Sequence, residues 1–254
     1  MSKQYPILEF DPSREAIIEP TGIIEPIDAP EHCVFCFFLE VIEKVVRERS
    51  AKVIWEGRWE DGVHRLYETE HENQRLAFMH CGVGAPVSAG LLEEVHAAGC
   101  SKFIACGGAG VLDKADRVGK LFVPERAVRD EGLSYHYLPP SRLVEADPDV
   151  VKTIGESLRA KEVSFELCTT WTTDAPFRET VSMTERRRAE GCRTVEMEAA
   201  AFFAVAQFRG IPFGQILYAG DAVVAEGWDE RTWTDRGEIR ENLFWLAADA
   251  CLKL

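Results

Sequence analysis

The sequence predicts a three-layer α/β/α sandwich around a mixed, mostly parallel central sheet. Apolar segments of strand length alternate along the chain with longer segments of helical length, an order typical of a parallel sheet covered by helices on both faces. No repeat, low-complexity stretch or Gly/Ser linker interrupts this alternation. The 254 residues suffice for one domain of this kind, so we predict a single domain over 1–254 with an irregular segment over 1–30.

The first third of the chain predicts a helix followed by three strands. Five prolines punctuate residues 1–30 and oppose regular structure there. Residues 33–49 carry apolar side chains at helical spacing. Segments 51–57 and 64–81 have the composition of strands, with a turn near Asn73 that divides the second segment.

Beyond this point strands and helices alternate. Strands are predicted over 75–81, 101–106, 120–129, 164–174 and 213–221, and helices over 87–99, 147–161, 195–210 and 234–254. The helix at 147–161 has Asp147 or Asp149 as its cap and Pro148 near its first turn. Glycine-rich tight turns are predicted after two of the strands, at 82–86 and 107–110.

Charge and composition exclude several classes of function. The formal net charge is −14, which repels phosphate backbones and disfavours nucleic-acid binding. No apolar run approaches the roughly 18 residues of a membrane span. The first ten residues lack the basic-then-apolar order of a signal peptide, so we expect a cytoplasmic protein without a membrane partner.

The eight cysteines do not predict a metal site. Only Cys33 and Cys36 form a Cys-x-x-Cys pair, and no second pair of ligands follows at short spacing, as a structural zinc site requires. We expect buried, reduced thiols and no bound metal.

Four polar or glycine-rich stretches follow predicted strands: 82–86, 107–110, 172–178 and 220–222. In parallel sheets, binding sites gather beyond the carboxyl ends of the strands. We therefore predict one pocket lined by these four stretches.

Two carboxylates, Glu196 and Glu198, stand at the start of an otherwise apolar helix. If that helix begins near Thr194, Glu196 complements the helix dipole in its first turn. Glu198 precedes a run of Ala and Phe that marks a buried helix, so its carboxylate must be paired or must face a pocket. The residues alone leave two roles for Glu198 open, helix capping or acceptance of hydrogen bonds from a vicinal diol.

Asp221 ends the last apolar strand. An aspartate there forms a turn or a helix cap, or it acts as a general acid with a raised pKa in a dry cleft. Physical chemistry alone does not separate these two roles.

The stretch TVEMEAAAFFAVAQFRGIPFGQILYAGD, residues 194–221, closely resembles the nucleoside phosphorylase superfamily, which includes uridine phosphorylase, hexameric purine nucleoside phosphorylase and methylthioadenosine nucleosidase. The likeness spans roughly residues 76–222, including CGVGAP, CGGAG and TTWTTDAPFRE. It implies a nucleoside phosphorylase-like fold, a small-molecule nucleoside as substrate, a function in nucleoside salvage and a homo-oligomer, from dimer to hexamer. It implies no organic cofactor, with inorganic phosphate as a possible co-substrate.

The resemblance also implies roles for individual residues. Glu198 would hold the ribose hydroxyls, helped by Met197 with Glu196 nearby, and Asp221 would protonate a departing purine. The base-binding residues would be Phe177, Asp174, Ala109 and Gly110. The pocket for phosphate or water would be lined by Gly82, Gly84 and Gly108.

The chain departs from the family at the phosphate site. The region 28–38 lacks the arginine of the Gly-Asp-Pro-x-Arg motif, Ala105 replaces a second arginine, and Gly108 replaces a Ser or Thr. Ala222 stands where the family often has a histidine after its catalytic aspartate. Four arginines are candidates to replace the lost cations: Arg14, Arg58, Arg65 and Arg178.

Three functions remain open at this level. The resemblance favours a phosphorylase that cleaves the N-glycosidic bond of a nucleoside, preferably a purine nucleoside, with phosphate as acceptor. The missing arginines favour a nucleosidase that uses water, with Glu19 or Glu25 to activate it. A third possibility is a catalytically inactive nucleoside-binding protein.

Overall fold

The chain alternates strands and helices, and the computed structural model describes residues 5–254. The strands are β1 (His32–Cys36), β2 (Lys52–Trp59), β3 (Gly62–His71), β4 (Gln74–His80), β5 (Lys102–Val111), β6 (Leu121–Asp130), β7 (Leu143–Glu145), β8 (Phe165–Thr173), β9 (Cys192–Glu196), β10 (Phe213–Val224) and β11 (Gly227–Asp229). The helices are α1 (Pro20–Ile23), α2 (Leu39–Arg49), α3 (Ala85–Ala98), α4 (Ser134–Tyr137), α5 (Pro148–Ala160), α6 (Val181–Ala189), α7 (Ala199–Arg209) and α8 (Gly237–Cys251). Short 3-10 turns cover Pro6–Leu8 and Pro176–Arg178.

The strands form one mixed sheet, part of which closes on itself. Strand β5 pairs with both β9 and β10, and the circuit is completed by β10–β6, β6–β8 and β8–β9 pairing. From β5 the sheet continues as an open extension through β1, β4, β3 and β2. The predicted α/β class with a mixed sheet and external helices is confirmed, and the closed circuit is an addition that the alternation of elements did not reveal.

Helices cover both faces of the sheet. Helix α7 packs with α3 and α4, whereas α8 packs with α5 and α2. Neighbouring residues of a strand point to opposite faces, and β10 shows the two layers directly. The Phe213 ring stacks on Phe202 of α7 at 4.6 Å, while the next residue, Gly214, lies against Val150 and Ile154 of α5.

Several predicted elements are confirmed with small shifts. The β3–β4 turn lies at Glu72 and Asn73, which both have positive φ. Asp147 caps α5 by accepting hydrogen bonds from the backbone N–H groups of Asp149 and Val150. None of the helices in residues 5–254 is long and apolar enough to cross a lipid bilayer.

The helix predicted over 33–49 is wrong in its first part, because residues 32–36 form β1. This strand lies between β4 and β5 and pairs in parallel with both. A strand buried on both faces carries a continuous apolar run, which periodicity does not distinguish from a buried helix. Cys33 and Cys36 therefore lie in a strand, and all eight cysteines are buried free thiols.

The turn predicted over 107–110 is also wrong, because β5 continues without interruption to Val111. Glycine in a strand often marks a close approach of another group. Here the Phe37 ring lies 2.8 Å from the position that a Cβ atom on Gly107 would occupy, and the Tyr218 ring lies 3.1 Å from the corresponding position on Gly108.

Candidate active site

Glu196 ends a strand and caps the following helix, rather than lying within that helix as predicted. The helix near Thr194 is replaced by β9, and α7 begins only at Ala199. Glu196 Oε2 accepts hydrogen bonds from the backbone N–H groups of Glu198 at 2.7 Å and Ala199 at 2.6 Å. A helix cannot satisfy these two donors internally. Glu196 therefore places its carboxylate at the N-terminal end of the α7 dipole, as expected, but from the strand before the helix rather than from the first turn.

Thr172 connects the neighbouring strand to the same turn. Its Oγ1 donates a hydrogen bond to Glu196 Oε1 at 2.6 Å and accepts one from the Ala200 backbone N–H at 2.9 Å. Thr172 and Glu196 are paired positions of the parallel strands β8 and β9, and both side chains are buried. This network fixes the start of α7 relative to the sheet.

Glu198 occupies the N-terminal capping position of α7, and its side chain reaches another loop. Glu198 Oε1 accepts a hydrogen bond from the Gly84 backbone N–H at 2.6 Å. Gly82 and Gly84 have φ of +71° and +94°, a backbone region that strains other residues. Glu198 therefore accepts a backbone hydrogen bond from the glycine-rich turn that was predicted at 82–86.

Burial raises the pKa of Glu198 to about 8, and the negative charge of Glu196 contributes to the increase. Burial also raises the pKa of Glu196, against the opposing effect of its hydrogen bonds from Thr172, Ala199 and Glu198. In the free protein the pair therefore retains a proton at neutral pH. Hydroxyl donors at Glu198 would favour its ionised form.

Asp221 lies in β10 at an irregularity of the sheet. The β5–β10 pairing shifts between Ala219 and Ala222, so the strand bulges at residues 220–221, a device that redirects side chains. Asp221 Oδ2 accepts a hydrogen bond from Trp228 Nε1 at 2.7 Å, and Trp228 is carried by β11, which folds back on β10. Neither β11 nor this donor was predicted from the sequence.

Strand pairing places Gly110 between β9 and the bulge that carries Asp221. Gly110 pairs with Val195, the residue before Glu196, and Asp221 Oδ1 is 3.4 Å from the Cβ position of Gly110 on its other side. Two strand spacings, roughly 10 Å, separate the backbones of β9 and β10 across β5. The strand that leads to Glu196 and the bulge at Asp221 thus both lie next to Gly110. The convergence of Glu198 with them stays a prediction.

The loop after β8 carries the predicted base-binding residues. Asp174 Oδ2 accepts a hydrogen bond from the Gly132 backbone N–H at 2.8 Å. Phe177 lies in the 3-10 turn, with its side chain 99% exposed. The Phe177 ring is therefore uncovered in the isolated chain, whereas Ala109 is buried in β5 and Met197 is partly exposed beside Glu198.

Apolar side chains lie around Ala105, Gly107 and Gly108, near positions where the resemblance places phosphate-binding residues of the family. Phe37 packs on Gly107 directly after β1, Tyr218 packs on Gly108, and Ala105 is buried. His80 is paired with Cys36 across β4 and β1; burial and the neighbouring His64 lower the pKa of His80. This region therefore offers a phosphate dianion little positive charge.

The four replacement arginines are held elsewhere or are exposed. Arg14 lies over the Phe208 ring at 4.3 Å, near the far end of α7, and Arg65 bonds Glu56 at 2.7 Å. Arg58 and Arg178 are exposed. Within residues 5–254 no side-chain hydrogen bond or ion pair joins these four to the loops at 82–86 or 107–110.

Arg240 is a buried arginine that was not among the candidates predicted from the sequence. It is 7% exposed and donates hydrogen bonds to Tyr218 Oη at 3.2 Å and Glu40 Oε1 at 2.6 Å. Glu40 stands in the first turn of the helix that follows β1. Arg240 is far along the chain from any family motif, so only the fold reveals this proximity, and its charge is balanced by Glu40.

The two glutamates predicted to activate water are not at this edge of the sheet. Glu19 accepts a hydrogen bond from Arg209 Nη1 at 2.8 Å, at the opposite end of α7 from Glu198. An 11-residue helix is roughly 16 Å long, so the assignment of Glu19 is wrong within this chain. Glu25 is exposed in the N-terminal segment.

One group of side chains in residues 5–254 has the spacing of metal ligands: His71, Glu72 and Asp249. His71 Nε2 and Asp249 Oδ1 are 2.8 Å apart, and the Lys161 ammonium group pairs with the other Asp249 oxygen. Lys161 already neutralises this carboxylate. The cluster lies at the β3–β4 turn, apart from Glu198.

Comparisons with known proteins agree with the fold. Residues 32–249 match the family model described as the phosphorylase superfamily. The chain is 25% identical over 225 residues to a uridine phosphorylase of Thermococcus kodakarensis, covering 82% of this chain and 78% of the relative. It is 25% identical over 173 residues to a guanosine phosphorylase of Halorubrum lacusprofundi, covering 66% of this chain and 72% of the relative.

Among solved structures, an AMP nucleosidase from Bacteroides thetaiotaomicron superposes with a TM-score of 0.71 at 19% identity. The match covers 89% of each chain. The same fold thus accommodates both phosphorylases and nucleosidases.

Proposed function

The chain belongs to the phosphorylase superfamily, and we propose that it cleaves the N-glycosidic bond of a purine nucleoside with water as the acceptor. Because its family acts on nucleosides, the chain is proposed to be an enzyme of nucleoside metabolism. The observation that carries the proposal is the buried Glu198 carboxylate, which the Gly84 backbone N–H holds at 2.6 Å at the start of α7.

Glu198 is proposed to bind the ribose 2′- and 3′-hydroxyls. Its carboxylate is 5% exposed and fixed by the Gly84 N–H, so it is preorganised for a diol. Cleavage builds positive charge on the sugar as an oxocarbenium-like ribosyl cation. An ionised Glu198 with Glu196 close behind it favours that charge.

Asp221 is proposed to assist departure of the base, with the predicted base-binding residues around it. The resemblance associates an aspartate at this position with purine-specific members, and the guanosine phosphorylase relative is consistent with a purine. Asp174 and the exposed Phe177 ring lie on the loop after β8, and Ala109 and Gly110 supply close-approaching backbone. Protonation of a purine lets it leave as a neutral base.

Water rather than phosphate is favoured as the acceptor by the residues at the end of β1. Ala105 stands where the family has an arginine, the Phe37 and Tyr218 rings lie against Gly107 and Gly108, and Arg240 is neutralised by Glu40 at 2.6 Å. Glu40, rather than Glu19 or Glu25, is proposed as the glutamate that accepts a proton from the attacking water. Gly82, Gly84 and Gly108 would line the space for this water.

Phosphorolysis is the second candidate because both curated relatives are named phosphorylases at 25% identity. In that case Arg240, the buried cation beside Tyr218, would have to exchange Glu40 for phosphate.

A homo-oligomer of two to six chains and a cytoplasmic location complete the proposal, with no organic cofactor. The uncovered rings of Phe177 and Trp228 are consistent with a second chain at the mouth of the site.

The proposal is tested by measuring base release from guanosine, inosine, adenosine and uridine with the wild-type protein and with Asp221→Asn. Release of purines by the wild type, reduced at least about 100-fold in the variant, supports the assignment. Saturable nucleoside binding without release from any substrate would instead support the inactive binding protein.

A further inference from the structure

Arg240 is a buried cation, and Glu40 is its only ion-pair partner among the side chains of residues 5–254. Arg240 Nη1 donates to Glu40 Oε1 at 2.6 Å. The other guanidinium donors bond uncharged oxygens, the Tyr218 hydroxyl at 3.2 Å and the Trp233 carbonyl at 2.9 Å. The Phe38 ring covers the guanidinium, with its centre 4.8 Å away. Glu40 alone therefore balances the charge of Arg240.

The two members of this ion pair differ in exposure. The Arg240 side chain is 8% exposed and the Glu40 side chain 52%, since Glu40 stands in the first turn of α2. A buried charge that loses its partner is strongly unfavourable. Removal of the Glu40 carboxylate would thus leave a buried cation that only another anion neutralises.

Contacts on both sides connect the ion pair to the glycine stretches predicted to line the pocket for phosphate or water. The Tyr218 ring, whose hydroxyl accepts from Arg240, lies 3.1 Å from the position of a Cβ atom on Gly108. On the other side, burial lowers the pKa of His80 and the negative charge of Glu40 opposes that shift. His80 Nδ1 accepts a hydrogen bond at 3.3 Å from the first N–H of the glycine turn after β4. The ion pair is therefore linked to both stretches.

Glu40 and a phosphate ion exclude each other beside Arg240. Both are anions that would bond the same Nη1 donor, and like charges at contact distance repel strongly where water is largely absent. The formal net charge of −14 adds a general repulsion of phosphate. Because the carboxylate belongs to the chain, its effective concentration at this donor exceeds that of dissolved phosphate.

We propose that Glu40 selects the acceptor: its carboxylate occupies the anion position beside Arg240, so that water attacks the sugar, and without this carboxylate the position binds phosphate. This inference rests on the proposed function. In hydrolysis the water oxygen forms a bond to C1′ and gives a proton to Glu40. The electron pair of the C1′–N9 bond leaves with the purine, which takes up a proton. Without the carboxylate, an oxygen of hydrogen phosphate held by Arg240 forms the bond to C1′, and the phosphate proton passes to solvent.

The test uses Glu40→Ala, the double variant Glu40→Ala/Arg240→Met, and Glu43→Ala, a matched change at an exposed position of the same helix. Two quantities are measured with and without inorganic phosphate, with chloride added to keep the ionic strength equal. One is the sugar product released from guanosine. The other is Tm, which reports phosphate binding even in a variant without activity.

Glu40→Ala is expected to lose hydrolysis about 100-fold or more and to form ribose 1-phosphate when phosphate is present. At phosphate concentrations about tenfold above its Kd, the Tm of Glu40→Ala should rise about 3 °C beyond the shift seen in the wild type. Glu43→Ala should match the wild type, and the double variant should lose both phosphate effects.

Two results would overturn the inference while leaving the proposed function intact. One is a Glu40→Ala variant that phosphate neither stabilises nor supplies as an acceptor. The other is phosphate effects that persist when Arg240 is also replaced. A wild type that releases no base would overturn the proposed function itself, whereas phosphate-dependent stabilisation of Glu40→Ala still tests the anion position.

Discussion

The Gly84 backbone N–H and the Glu198 carboxylate are 2.6 Å apart although 114 residues separate them in the chain. This hydrogen bond joins the glycine turn after β4 to the start of α7. It fixes the carboxylate that we propose binds the ribose, and it needs the positive φ of Gly84. A glycine turn and an acidic helix start, each ambiguous alone, thus form one site.

Replacement of Glu198 by Gln should weaken recognition of the 2′- and 3′-hydroxyls. Loss of a charged hydrogen-bond acceptor in a buried site costs about 2–4 kcal/mol of transition-state stabilisation, or roughly 30- to 1,000-fold in kcat/KM for guanosine. The loss should be clearly smaller for 2′-deoxyguanosine, which lacks one hydroxyl. Glu226→Gln, at an exposed position, serves as the control, and equal losses on both nucleosides would argue against diol binding.

Ribonucleoside binding should release a proton and should tighten as pH rises towards 8. The pKa of free Glu198 is raised to about 8 by burial and by Glu196, whereas binding of the diol requires the ionised form. Affinity should increase by up to about tenfold per pH unit below pH 8. Calorimetry of guanosine binding to the Asp221→Asn variant in buffers of different ionisation enthalpy measures the released proton, and pH-independent binding would contradict the assignment.

The Glu196–Glu198 pair should also make the fold less stable as pH rises. Both folded-state pKa values are raised, so the native state binds protons that the unfolded chain has already lost. The stabilising contribution is complete below about pH 4.5 and is lost as pH rises to about 8, at up to roughly 1.4 kcal/mol per pH unit for one proton. Urea unfolding of the wild type and of Glu198→Gln between pH 5 and 8 measures this slope, which should be shallower in the variant.

Thr172→Val should destabilise the protein because it removes the hydroxyl shared by Glu196 and Ala200. The buried acceptor and donor left behind cost about 1–3 kcal/mol. Thr153→Val, at a partly exposed position of α5 whose hydroxyl bonds the Asp149 carbonyl, is the matched control in chemical denaturation. A variant as stable as the control would show that the Thr172 hydroxyl does not hold the start of α7.

Glu19→Gln should leave base release within about twofold of the wild type, whereas Glu40→Gln should slow it. Glu19 is engaged with Arg209 at the far end of α7, and a partly exposed ion pair contributes only about 0–1 kcal/mol. Glu40 follows β1 at the proposed water site and bonds Arg240. Steady-state rates with guanosine separate the two; a large loss in Glu19→Gln would restore the original assignment.

Much of the fold was predictable from the chain because apolar strands and helices alternate after Arg75. Residues 33–36 and 107–110 were not. In β1 both faces are buried, so no alternation of apolar and polar residues marks the strand, and in β5 the glycines accommodate the Phe37 and Tyr218 rings rather than a turn. Closure of the sheet through β5 and β10 depends on pairing between distant segments, which a local pattern does not encode.

The candidate site could be predicted where its residues belong to family motifs. Glu198, Gly84 and Asp221 were identified from strand ends and from the family resemblance. Trp228 and Arg240 belong to no motif, and their contacts depend on a short hairpin and on a helix from the end of the chain. Only the three-dimensional arrangement shows that Arg240, paired with Glu40, lies beside Tyr218, whose ring packs on Gly108.

The most direct test of the account is the identity of the sugar released from guanosine in the presence of excess phosphate, followed by ³¹P and ¹H NMR. We expect guanine and free ribose, at a rate that phosphate does not change. Formation of ribose 1-phosphate, or base release that requires phosphate, would contradict water as the acceptor, and absence of any guanine would contradict nucleoside cleavage at the Glu198–Asp221 site.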